Sequence, residues 1–69
     1  MKQIYILPRE GREASAELLE CAQFLKPHGI GCYASVGELG HGSFWVEDSH
    51  ERQALEALSR AGFNVVSAN

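Results

Sequence analysis

An α+β fold of β-α-β-β-α-β order is predicted by three features of this 69-residue chain. The last third alternates like a strand over Gly42 to Glu47, offers helix-capping residues at Asp48 to Glu51, runs at helical spacing through Ala61, stops at Gly62 and turns strand-like again at Phe63 to Val66. The first half repeats the same grammar. A content of 45% hydrophobic and 22% charged residues is that of a globular domain, which excludes a disordered chain. The length holds one domain, residues 1 to 69, with a small core of marginal stability, so a partner subunit is the expected source of added stability.

The first strand, Lys2 to Leu7, sets Ile4 and Ile6 on one side and Gln3, Tyr5 and Leu7 on the other, and Pro8 ends it. After the polar turn Arg9-Glu10-Gly11, a helix from about Arg12 to Lys26 buries Ala14, Leu18, Cys21 or Ala22, and Leu25. Pro27 and Gly29 end it, one restricting the residue before it and the other supplying a left-handed turn. The second strand is read over Ile30 to Val36, with Ile30, Cys32, Ala34 and Val36 inward. A hairpin loop with Gly37, Gly40 and Gly42 leads to the third strand, where Phe44 and Val46 face the core and Trp45 faces away. Asp48 and Glu51 have the spacing of a capping box, and Ala54, Leu55, Leu58 and Ala61 form the buried stripe of the second helix. The expected architecture is a ferredoxin-like βαββαβ sandwich: a four-stranded antiparallel sheet with two helices on one face.

In that topology the first and third strands are central neighbours and the second lies beside the third. Tyr5, Tyr33 and Trp45 then share the uncovered sheet face, an apolar area of the kind that marks association sites. These three are the expected interface residues, and stacking of a ligand on them is the second reading. RNA-recognition domains share the topology and stack bases on such aromatics, but the third strand here lacks their basic residue and paired aromatics. Net charge −3 with only six scattered Lys and Arg also argues against nucleic acid.

The remaining motifs carry little chemistry. His28, His41 and His50 lie in separate loops or caps with no metal-ligand spacing, so no metal or other cofactor is expected. Cys21 and Cys32 are read as buried thiols, and Glu13, Glu17 and Glu20 as a solvated helix side. The opening Met1 to Pro8 has too short an apolar run for a signal sequence or membrane span, so a cytoplasmic protein with reduced thiols and no membrane contact is expected. No acid, base and nucleophile converge in the sequence, and a non-enzymatic chain is expected.

Gly11 after the first strand, the Gly29-Ile30 junction, and Val46-Glu47-Asp48 followed by a helix ending Ala61-Gly62-Phe63 give the chain a resemblance to the ACT-type regulatory domains. That resemblance implies a homodimeric regulatory module with an amino acid or small carboxylate held against Pro8, Arg9, Glu10, Gly11 and Arg12, facing Ile30 to Tyr33. It departs from the family where Leu7-Pro8 replaces the acidic or amide residue that often ends the first strand. The alternative is a stand-alone inhibitor or adaptor, of the kind carried by phages and mobile elements, that blocks the surface of a partner protein.

Overall fold

The computed structural model describes residues 1–34 and 42–68. Strand β1 (Lys2–Leu7) is followed by helix α1 (Ala14–Leu25), strand β2 (Ser43–Val46), helix α2 (Glu51–Arg60) and strand β3 (Asn64–Ser67). The sheet has the order β2-β1-β3, and both pairings are antiparallel. Ile4 and Ile6 of β1 with Phe44 and Val46 of β2 meet Leu18, Cys21 and Leu25 of α1 and Ala54 and Leu58 of α2 in one core. The alternation of β1 and β2 sets Ile4, Ile6, Phe44 and Val46 on one side, and that is the side that faces the helices.

Among the described residues the sheet has three strands, which corrects the four-stranded ferredoxin-like expectation. The described part of the segment read as the second strand contributes one bridge, where Tyr33 and Trp45 exchange main-chain hydrogen bonds of 2.9 and 2.7 Å. Its first residue is drawn the other way: Ile30 donates its N–H to Leu25 O and Gly29 donates to Lys26 O, closing the end of α1 with Gly29 at φ +76°. Ile30 then packs in the core as the apolar residue of a helix stop, and the strand cannot begin there. Residues 35 and 36 of that expected strand, the loop glycines Gly37 and Gly40, and His41 lie outside the described residues.

Both helices end by the same device. Gly62, at φ +95°, donates to Ser59 O and Phe63 donates to Leu58 O, a repeat of the Gly29 and Ile30 closure. The helix starts differ from expectation. α1 begins at Ala14, because Arg12 donates to Arg9 O in the preceding turn, with Gly11 at φ +78°. The capping box does not form: Asp48 to His50 make a single 3-10 turn, which moves the helix start to Glu51. Asp48 instead pairs with the Met1 amine at 3.0 Å, and Glu51 accepts a 2.9 Å hydrogen bond from the Ser67 hydroxyl.

Candidate functional site

Among the described residues the helices cover one face of the sheet and leave the other open, apart from Ser43, which is 2% exposed, and the register fixes what the open face displays. Gln3 lies opposite Trp45, Tyr5 opposite both Ser43 and Val66, and Leu7 opposite Asn64, with Tyr33 outside Trp45. Directly opposed residues point to the same side, so Tyr5, Tyr33 and Trp45 share one face as expected from the sequence. Seven large hydrophobic side chains are exposed among the described residues, and four of them, Tyr5, Leu7, Tyr33 and Val66, stand here. Trp45 is half-buried. None of the residues just named on this face is charged. The Tyr33 ring leans back along its own segment, so that its hydroxyl would stand 3.0 Å from a Cβ placed on Gly31. Gln3 donates from Nε2 to Ser43 Oγ at 3.3 Å, adding a polar contact between β1 and β2.

The turn that the resemblance marked as a ligand site is organised around its own carboxylates. Arg9 donates from Nε and Nη2 to the two oxygens of Glu17, each at 2.9 Å, and its main-chain N–H reaches Glu17 Oε2 at 3.4 Å. Glu20 accepts from Arg9 Nη2 at 3.3 Å and pairs closely with Arg12, whose Nη2 also lies 3.5 Å from Glu17. The Arg9 guanidinium sits 4.5 Å from the centre of the Phe63 ring, so one side chain ties the β1–α1 turn, α1 and the α2–β3 turn together. The hydrogen bonds from Arg9 hold the Glu17 carboxyl below its ordinary range against the opposing effect of burial, with smaller help from the charges of Arg9 and Arg12. The same hydrogen bonds raise the Arg9 guanidinium.

These contacts change the meaning of the turn. Arg9 and Arg12 already have carboxylate partners, and Glu10 and Gly11 are exposed beside them. Ile30 is 2% exposed and belongs to the core, so its side chain is not presented to a ligand in the turn. Glu17, read from the sequence as part of a solvated helix side, has no exposure at all. The signal was its position: residue 17 lies three after Ala14 and four before Cys21, on the stripe that faces the core.

Other chemistry-bearing groups remain dispersed. Cys21 is buried and Cys32 half-buried, both as free thiols, and burial pushes them up to about 12 and about 11. His28 packs its ring 5.4 Å from Phe24, and His50 Nδ1 lies 4.0 Å from the nearest Glu47 oxygen. No group of three His, Cys, Asp or Glu suited to a metal occurs among the described residues. An open depression on α2, lined by Leu55, Glu56, Ser59 and Arg60, belongs to one helix and encloses nothing. No helix among the described residues is long and apolar enough to cross a membrane.

Comparison of the chain with protein-family models, with curated proteins and with solved structures finds no match.

Proposed function

We propose that this chain is a non-enzymatic binding module that acts through protein–protein contacts, with the open sheet face as its docking surface and an uncharged, largely apolar protein surface as its partner. The observation that carries this reading is the concentration of exposed Tyr5, Leu7, Tyr33 and Val66 on a face where, among the described residues, Gln3, Ser43, Trp45 and Asn64 stand beside them without a charge, on a chain of net charge −3. A nucleic acid or a basic peptide would be recognised by charge, and the described residues of this face supply none of it. An amino-acid ligand at the first turn fits less well, because a ligand carboxylate would have to displace Glu17 or Glu20 from Arg9 and Arg12. The free thiols support a cytoplasmic location as part of the same reading.

The test is charge placed on the face. Proteins cross-linked to the wild-type chain and to Gln23→Lys, on α1, but lost with the Tyr5→Lys/Val66→Lys variant are the expected result. A set of partners unchanged by the two face lysines removes the reading. A thermal-shift screen with amino acids and small carboxylates decides the ligand alternative, since a ligand held by the native state raises the melting temperature and Arg12→Ala would abolish that rise.

A further inference from the structure

Among the described residues the strand order leaves β3 at one end of the sheet. The other end is occupied by Tyr33, which exchanges main-chain hydrogen bonds with Trp45 beyond β2. β3 reads Asn64-Val65-Val66-Ser67, without the charge, proline or glycine that keeps an end strand from pairing. Its phase is fixed by two bonds: Ala68 donates to Gln3 O, and Ile6 donates to Gly42 O on the β2 side of β1. Since Ile6 lies opposite Val65, the N–H and C=O of Val65 are turned away from β1, toward the edge.

We infer that two copies of this chain join antiparallel along β3, about a twofold axis through Val65, into one six-stranded sheet with all four helices on one side. Val65 of each copy exchanges N–H to C=O hydrogen bonds with Val65 of the other. The register follows: Asn64 stands opposite Val66 of the second copy, and Phe63 opposite Ser67. On the open face, the Tyr5 and Val66 row of one copy runs on into Asn64 and Leu7 of the other, because Leu7 is already opposite Asn64 within each chain.

The strand itself selects a second copy as the occupant. Asn64-Val65-Val66-Ser67 has no charged residue, so pairing it with itself about the axis sets Val65 against Val65 and Asn64 against Val66 and brings no like charges of the two strands together. The open face stays uncovered in this dimer, so the inference does not rest on the docking role proposed above and joins two such faces into one.

Light scattering over a range of concentrations should show a species of twice the 7.6 kDa chain mass. Val65→Pro removes both axial N–H donors and should raise the dissociation constant about tenfold or more. In a Cys32→Ser background, a mixture of Asn64→Cys and Val66→Cys chains should cross-link to each other on oxidation in preference to themselves. These two positions form a non-hydrogen-bonded pair, whose Cα separation of about 4.5 Å suits a disulfide. A mass of one chain at every concentration overturns the inference, as does a dimer without that preferential cross-link. If Val65→Pro does not fold, the cysteine pair decides alone.

Discussion

Arg9 holds Glu17 by two parallel hydrogen bonds of 2.9 Å, and Glu17 has no solvent exposure. A buried carboxylate is costly unless its lone pairs are satisfied, and here one fork satisfies both oxygens while Phe63 supports the other side of the guanidinium. Glu17→Gln should therefore destabilise the domain by about 2 kcal/mol, because the amide returns only part of the fork and leaves Arg9 with its weaker contact to Glu20. Chemical denaturation of Glu17→Gln, Arg9→Gln and the double variant checks this. The double variant should lose less than the sum of the single losses, as partners in one interaction do.

The same pair gives the acid limb of stability a definite sign. Glu17 titrates below 4.5 in the folded protein, held there first by the Arg9 hydrogen bonds, and near 4.5 when unfolded. Its contribution is complete above the unfolded value and is lost as pH falls through the lower folded value, because in that window the unfolded chain binds more protons. Asp48 is also lowered, by its hydrogen bond to the Met1 amine, but it is exposed and screened. Melting temperatures from pH 7 to pH 3 should fall more steeply for wild type than for Glu17→Gln. Asp48 is present in both chains, so its slope cancels in the comparison.

Alternation and helical spacing made much of the fold legible. β1 and β2 display Ile4, Ile6, Phe44 and Val46 to the helices as the sequence requires, and Gly29 and Gly62 end the helices because their left-handed backbone is needed there. The lost strand was not legible, because an apolar residue just after a helix glycine serves equally as the first residue of a strand or as part of the helix stop. Ile30 took the second role by bonding back to Leu25. The capping box failed for a related reason: a 3-10 turn displaced the helix start from Asp48 to Glu51, and spacing alone does not report such a turn. At the candidate face, the sequence placed Tyr5, Tyr33 and Trp45 correctly on one side, and Leu7 and Val66 join them through the register with β3. The partnership of Arg9 with Glu17 was missed because the three glutamates were read as one solvated row, although Glu17 falls on the buried stripe.

Two glycines with similar backbones should respond differently to alanine. Gly42 has φ +66°, and a Cβ there would stand 3.0 Å from Ile6 O and 3.3 Å from the Ala14 Cβ. Gly11 has φ +78° with no heavy atom within 4 Å of such a Cβ. Gly11→Ala bears only the backbone strain, about 1 kcal/mol, whereas Gly42→Ala adds a clash against the main chain of β1 and should cost about 3 kcal/mol. It also strains the Ile6 to Gly42 hydrogen bond of 2.6 Å. Urea midpoints of the two variants check the order, and equal losses would show that the β1 and Gly42 contact carries no constraint.

The cysteines should be nearly silent toward thiol reagents while the domain is folded. Burial raises Cys21 to about 12, with the Glu17 charge adding to the effect, and burial raises Cys32 to about 11. The thiolate is the reacting species, so at pH 8 about one Cys32 in a thousand is reactive, compared with about one in ten for a thiol at the ordinary 9.0. Labelling of Cys32 by a small alkylating reagent should be about a hundredfold slower than in the unfolded chain, and Cys21, with no exposure, should label only through unfolding. Mass spectrometry after timed alkylation, with and without denaturant, measures both rates. Weakening the Arg9 and Glu17 pair by Glu17→Gln should speed Cys21 labelling by the same factor as it raises the unfolding equilibrium constant, because Cys21 lies one helical turn beyond Glu17 on the same buried stripe. A Cys21 rate that ignores that substitution would mean α1 opens locally, without release of the arginine turn.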